Sequence, residues 1–599
     1  MTKLIALDFE SDAIADRPDY PPRPVGISIC VDGESDKDKY LAWGHPTENN
    51  CTLDFAKRQI VSAMDDSDIV FHNASFDTSI LIEKLELPVD QEHVHDTMVQ
   101  AFLLDPFGEL SLKPLAEKHL GMPPTERDAV KDWLVAHAGV QASDKSWGAH
   151  IAKAPGKLVG AYAIGDGART LGLHNIFVPR IKEAGMYNAY RREMDLMPHI
   201  MAMERRGVNL DGASLRRDTD YYFGKLDELD EEIQSMLGCR VDIDSNAQLA
   251  DAIEAAGMSS GFATTPTGKR STSKESLIGA ISDPQLLGRL LVHGSIATCL
   301  RTFFQPWLAQ YYKNGRLLIR WHQVRNYSDT GARTGRFSSS PNLQNVPVVW
   351  EGLKRQLDKI GYVLPFELPS MRKYIIPDPG MAFIGRDYSG QELRLLAHFT
   401  QGKLLQALKL NPKEDLHQIA AKLANISRTE AKTLAFAILY GAGVGRIAES
   451  LHMSVDEATR VKKRYLEALP EIKEFTGFVQ SKGKSRDYVT TLGGRNYYAQ
   501  KPAVVEGRFK SFEYKLVNYL IQGSAADQTK QAMLDYARTT VSGQIQLSVH
   551  DQLVIQCPIA DVWQECELLK TAMNGAFQDV LDYEIVSDEA IGYNFAELK

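Results

Sequence analysis

Apolar strands in this chain end repeatedly on a carboxylate, and that placement limits what the chain can fold into. In KLIALDFES, Ile5, Leu7 and Phe9 alternate with Asp8 and Glu10. Residues two apart on a strand share a face, so the two acids project together while the three apolar side chains are buried. A second apolar run delivers Asp387 at its end, with a helix expected directly after it. The alternating stretch QIQLSVHDQLVIQ reads as a tight hairpin with Asp551 at its tip. Taken alone, the Asp8/Glu10 pair reads as a solvated strand end, and Asp387 reads as a helix N-cap. Acids at the ends of buried strands are costly unless something cationic meets them.

At 599 residues the chain is too long for one hydrophobic core, so several domains are expected. The first 170 or so residues alternate short apolar strands (Leu4–Phe9, Ile27–Cys30, Ile69–Phe71) with helical stretches, which reads as an α/β domain. From about residue 187 the chain is mostly helical, with strand-like pieces returning around Asp387 and Asp551. The N-terminus, MTKLIALDFE, meets acids at once and has no signal-peptide layout. No uninterrupted apolar run is long enough to cross a bilayer, so a soluble, cytoplasmic protein with no membrane partner is expected. Six scattered cysteines without a CxxC pair argue against a zinc site or a disulfide framework. The net charge of −9 does not itself favour a nucleic-acid partner, but phosphate binding depends on local potential.

Two segments give the N-terminal acids a context. HNASFD carries Asn73, Phe76 and Asp77, and YAIGD carries Tyr162 and Asp166 four apart, hence on one helical face. With KLIALDFES these resemble, in order, the three exonuclease motifs of the DEDD superfamily in its tyrosine-bearing subclass. The resemblance implies that Asp8, Glu10, Asp77 and Asp166 hold two divalent metals about 3.5–4 Å apart, with Tyr162 orienting the attacking water. Oxygen-only ligands point to Mg²⁺ or Mn²⁺. Asp96 resembles a further acidic position of such domains and reads equally as a helix N-cap.

In RTEAKTLAFAILYG, Arg428, Lys432, Phe436 and Tyr440 recur every fourth residue. They form one helical stripe about 18 Å long, with Gly441 suited to its end. An ordinary amphipathic helix would carry aliphatic side chains there. The stripe resembles motif B of Pol I-like (family A) DNA polymerases, without a departure. FIGRDYSGQELRLLAH resembles motif A of the same family at Asp387, Tyr388, Ser389, Glu392 and Arg394, with Gly390 and Gln391 in place of the usual Gln-Ile. The hairpin resembles motif C, with Gln552 where the family has a second acid. TGRFSSSPNLQNVP (Thr334–Pro347) and QGSAADQTKQAM (Gln522–Met533) resemble two further family segments. Shorter matches at Met203–Asp211, Met371–Pro377, Asp415–Gln418 and Tyr488–Arg495 extend the likeness over nearly the whole chain.

The resemblance implies a multidomain fold: an α/β RNase H-like exonuclease domain (1–186), then an α+β right-hand polymerase domain (187–599). Its thumb would cover about 205–310, its palm about 311–400 and 511–599, and its fingers about 401–510. Asp387 and Asp551 would hold two Mg²⁺ ions. Arg428, Lys432, Phe436, Tyr440, Glu392 and Tyr388 would bind the nucleotide, with Glu392 excluding a 2′-hydroxyl. Arg336 and Gln522 would contact the minor groove at the primer end, whose acceptors are nearly alike for every base pair. Lys269 and Arg270, in the loop TTPTGKRSTSK, would meet duplex phosphates. The partners implied are primer-template DNA and dNTPs. A start directly at the exonuclease strand and a short thumb loop resemble replicative polymerases of bacteriophages. The Gly390-Gln391 departure leaves room for an unusual nucleotide such as 2-aminoadenine. Gln552 gives the alternative of a 3′→5′ exonuclease whose polymerase half mainly binds DNA.

Overall fold

The computed structural model describes residues 3–265, 268–347, 350–485, 487–505 and 507–598. By packing, the chain divides into two compact units. The first comprises Met1–Arg206, Ile319–Gln344 and Gly385–Glu589, and the second Gly207–Leu318, Asn345–Ile384 and Ala590–Lys599. The expected domain boundary after residue 186 lies inside the first unit, between the helices Gly156–Glu183 and Tyr187–Arg206.

The N-terminal part is α/β, as its alternating pattern predicts. A five-stranded sheet runs in the order Lys39–Ala42, Pro24–Val31, Lys3–Ser11, Ser67–Phe71, Val94–Asp96. Lys3–Ser11 is central, antiparallel to Pro24–Val31 and parallel to Ser67–Phe71. Its Ile5, Leu7 and Phe9 sink into one large apolar cluster with Ile27, Phe71 and Phe177. Burial of that face fixes the register, and the same alternation turns Asp8 and Glu10 to the other side. The long helix Gly156–Glu183 packs across this sheet and carries Tyr162 and Asp166.

The acid-bearing strands of the second half also form one sheet, ordered Gln544–Val549, Gln552–Pro558, Met381–Tyr388, Ser587–Gly592. Val549 pairs with Gln552 across a two-residue loop in which His550 is left-handed (φ 57°), so Asp551 sits at the hairpin tip, as the sequence predicts. The second unit is largely helical, built around Gly212–Leu237 and Pro284–Cys299. Its small sheet orders Ile375–Ile376, Val208–Leu210 and Arg316–Leu317.

Within the first unit a buried ion network joins segments far apart in sequence. Arg495 lies 2.6 Å from Asp527 and 3.0 Å from Glu193, and Lys530 is 2.8 Å from Glu193. All four side chains are essentially without solvent access. Burial draws the Lys530 ammonium down to about 8, against the pull of Glu193. Gly335 is left-handed (φ 75°), and a Cβ there would stand 1.5 Å from an Arg495 guanidinium nitrogen. Glycine is required at that point by both conformation and space. Removing one member strands a buried charge, which typically costs about 3–5 kcal/mol. We therefore expect Arg495→Met to lower the unfolding free energy by about that amount, measured by urea unfolding of the full chain. A loss below about 1 kcal/mol would show that the network contributes no more than a surface pair.

Candidate active site

Two acidic centres emerge in the first unit. In the N-terminal one, Asp77 enters from the helix Ala74–Ser79, which follows a left-handed Asn73 (φ 73°). Its Oδ1 accepts the amide of Phe9 at 3.0 Å, between Asp8 and Glu10. That bond fixes the second segment to the first strand. Glu10, Asp77 and Asp166 are buried. Burial first, and neighbouring carboxylates second, push the Asp8 carboxyl up to about 7 and those of Glu10 and Asp77 well above the usual range. Burial and nearby Asp166 also raise the Tyr162 hydroxyl.

Two cations bracket Asp166. Lys113 Nζ donates to Asp166 Oδ2 at 2.7 Å and to the Tyr162 hydroxyl at 2.7 Å, while the Arg169 guanidinium stands 3.1 Å from Asp166 Oδ1. Among the described residues no three acid, histidine or cysteine side chains are already gathered into a metal cluster. The donor set nevertheless fits a hard divalent cation: buried carboxylates that repel one another and offer only oxygen. Asp96 has a different task. It accepts the amides of Asn73, Ala74 and Met98, capping the helix Thr97–Leu104 and holding the turn before Asp77.

In the second centre, the Tyr388 amide donates to the Asp551 carbonyl at 3.1 Å, so the hairpin tip adjoins the strand end that carries Asp387. Both acids are half-buried. Four residues expected to act here meet beside them. Glu392 forms an ion pair with Arg336, and the Tyr440 hydroxyl donates to Glu392 at 3.4 Å and also meets Gln522 and Arg336. The stripe-bearing helix Arg428–Leu439 starts with a capping box, in which Ser427 and Glu430 exchange hydrogen bonds. It ends where Gly441 turns left-handed (φ 65°), with the Tyr514 ring filling the space a Cβ would need. Phe436 and Tyr440 stack at 6.1 Å and 13°. Arg428 pairs with Asp415 at 2.7 Å, and both line a cleft with His417, Ser389 and Asp588. Lys432 is exposed on the same helix.

Three expectations need correction or narrowing. Tyr388 does not face a nucleotide: it is 2% exposed and its hydroxyl donates to the Met573 carbonyl at 2.7 Å. Strand alternation sends it to the core because Asp387 points the other way. Arg270 is ion-paired with Asp251 and with Glu254, which offsets its charge, whereas Lys269 is exposed. Pro266 and Thr267 of that loop lie outside the described residues. Gln391 is buried, and its amide donates to Gln528 at 2.9 Å and to the Ala525 carbonyl at 3.3 Å. Its departure from the usual Ile is thus matched by internal partners. Sequence reasoning missed Lys113 and Arg169, since neither lies in a motif.

The chain belongs to DNA polymerase family A, whose family model matches residues 213–597, and a 3′-5′ exonuclease family model matches residues 1–182. It is 27% identical to DNA polymerase I of Rhizobium leguminosarum over 91% of this chain and 52% of that protein. It is 26% identical to DNA polymerase I of Borreliella burgdorferi over 96% of this chain and 60% of that protein. The chain therefore spans little more than half the length of these relatives. A solved structure, the POL domain of Pol1 from M. smegmatis in complex with DNA primer-template and dNTP, shares the fold with a TM-score of 0.77. The identity is 19%, over 99% of this chain and 95% of that one. No described helix is long and apolar enough to cross a membrane.

The raised Asp8 carboxyl has a measurable consequence. In the folded chain it keeps a proton that the unfolded chain releases near pH 4. Without divalent cations, this group's contribution to stability is lost as pH rises from about 4 through about 7. Asp8→Asn removes that loss. Relative to the parent, its stability should climb across this window and level off above it, as read by urea unfolding at several pH values in EDTA. A difference that stays flat with pH would contradict the burial of Asp8 among like charges.

Proposed function

We propose that the chain is a template-directed DNA polymerase acting on primer-template DNA and dNTPs, with a 3′→5′ proofreading exonuclease of the tyrosine-bearing DEDD type. The observation that carries the reading is the meeting of Arg336, Glu392, Tyr440 and Gln522, from four separate segments, beside the adjoining strand ends of Asp387 and Asp551.

In this reading Asp387 and Asp551 hold two divalent cations, Mg²⁺ or Mn²⁺, and Asp8, Glu10, Asp77 and Asp166 hold two more. Bound there, such ions supply activation of the attacking oxygen and neutralise charge on the phosphate. The protein does the rest by position. Arg428 and Lys432 meet the triphosphate, and the guanidinium must leave Asp415 or share it with the ligand. Phe436 and Tyr440 offer stacked rings to the new base pair. Glu392, held by Arg336 and Tyr440, forms a rigid wall against a 2′-hydroxyl. Arg336 and Gln522 reach the primer end. A mispaired end frays and is cut at the N-terminal centre, where Tyr162 orients the water. Lys269 is the thumb-loop cation best placed for duplex phosphates.

We infer bacteriophage genome replication as the setting on the family resemblance alone, while the relatives the chain matches are named DNA polymerase I. A modified substrate such as 2-aminoadenine draws no support from Gln391, whose amide is spent on Gln528 and Ala525. Competition between dATP and the 2-aminoadenine nucleotide in one extension assay decides that point. The second reading, a nuclease with an inactive polymerase half, rests on Gln552 in place of an acid. Primer extension with Mg²⁺ separates the two. Asp387→Asn and Asp551→Asn should each cut extension by about 100-fold or more while single-strand degradation persists. Asp8→Ala should do the reverse. A parent protein that degrades but never extends would establish the second reading.

A further inference from the structure

The mechanism above does not use one charged group that touches its parts directly. Lys113 sits in the first turn of the helix Leu112–Leu120, behind the N-cap Ser111. A carboxylate steadies that turn: Glu109 accepts from the amides of Leu110 and Ser111 and from the Ser111 hydroxyl. The helix packs along Gly156–Glu183, which brings the ammonium to Tyr162 and Asp166. Nζ lies 2.7 Å from both the Tyr162 hydroxyl and Asp166 Oδ2, and 4.4 Å from the Tyr162 ring centre. Its field also reaches Asp8 and Glu10. On the far side, Arg169 holds Asp166 Oδ1 and is itself held by Glu126 and the carbonyls of Met122 and Pro123.

The two cations are not equivalent. Arg169 is buried and tied to four partners, so it is a fixed strut. Lys113 is partly exposed on a flexible stem, and its contacts are two atoms that a working nuclease site must have available. An oxygen of Asp166 cannot give its full charge to an ammonium and to a divalent cation at once.

We propose that Lys113 is a resident counter-ion of the exonuclease centre, competing with the divalent cation for Asp166 Oδ2 and positioning the Tyr162 hydroxyl. The proposal rests on the nuclease reading for its purpose but on the geometry of residues 113, 162 and 166 for its substance. Without metal, the ammonium offsets part of the repulsion among the four acids. When a cation takes Asp166 Oδ2, the ammonium withdraws from that atom and keeps its bond to Tyr162. The hydroxyl thus stays oriented through the exchange, and no proton is transferred.

The test uses the full chain carrying Asp387→Asn and Asp551→Asn, so that Mn²⁺ reports on the N-terminal acids. Lys113→Met and Lys113→Gln are compared with Lys113 by Mn²⁺ titration (electron paramagnetic resonance) and by melting with and without Mn²⁺. Both variants should bind Mn²⁺ at least about tenfold more tightly, because the competing charge is gone. Both should melt lower than the parent in EDTA, and saturating Mn²⁺ should close that gap, which a packing defect would not allow. At saturating Mn²⁺, Lys113→Met should lose kcat for single-strand degradation with KM unchanged, and Lys113→Gln, which keeps a donor for Tyr162, should recover part of it. Unchanged Mn²⁺ affinity, with a melting gap that persists in Mn²⁺, overturns the proposal even if one variant is poorly stable. Tighter Mn²⁺ binding in a chain whose Lys113 form never degrades DNA would uphold the competition and defeat the nuclease reading instead.

Discussion

Mutual repulsion between carboxylates at the ends of buried strands is the constraint around which this protein is organised. Asp8 and Glu10 are brought together because Ile5, Leu7 and Phe9 need the opposite face of the same strand. Asp77 is fixed to that strand through the Phe9 amide, and Asp166 arrives on a helix whose same buried face carries Phe177 and Ile181 further along. Each acid is where it is because an apolar neighbour is buried, so core packing imposes the charge density. Burial and neighbouring charge raise the carboxyls of Asp8, Glu10 and Asp77, so the fold opposes their ionisation. A site of this kind would be stabilised by a bound cation.

The second centre follows the same logic with less burial. Asp387 and Asp551 are half-buried at adjoining strand ends, and the surrounding polar groups already hold one another. Glu392 is committed to Arg336 and Tyr440, and Arg428 to Asp415. Such pre-formed pairs hold long side chains in place, and under the proposed function their partners would have to be exchanged when a nucleotide arrives. Further back, the network of Glu193, Arg495, Asp527 and Lys530 links the helix Tyr187–Arg206 to the helix Lys515–Thr539, which also carries Gln522. The two segments thus share one buried anchor within the first unit.

Much of this was legible in the sequence because periodicity carries direction. The four-residue spacing of Arg428, Lys432, Phe436 and Tyr440 placed them on one helical stripe, and the two-residue spacing of Asp8 and Glu10 placed both on one face. Ordered segments resembling a known family supplied the residues that spacing alone leaves open. What stayed hidden depends on contacts between distant segments. Lys113 is 49 residues from Tyr162 and belongs to no motif, so only the packing of two helices reveals it. The side-chain direction of Tyr388 was misread by following motif membership instead of strand alternation, which sends neighbours to opposite faces. Arg270 looked like a phosphate contact until Asp251 and Glu254, almost 20 residues earlier, proved to offset it.

The central claim is that these clustered acids form two cation-binding centres, and it is tested most directly by anomalous scattering from crystals of the full chain soaked in Mn²⁺. The account predicts manganese against Asp387 and Asp551, and again among Asp8, Glu10, Asp77 and Asp166, with the ammonium of Lys113 moved off Asp166. Manganese at neither cluster, in crystals where the same strands and helices are intact, would contradict it.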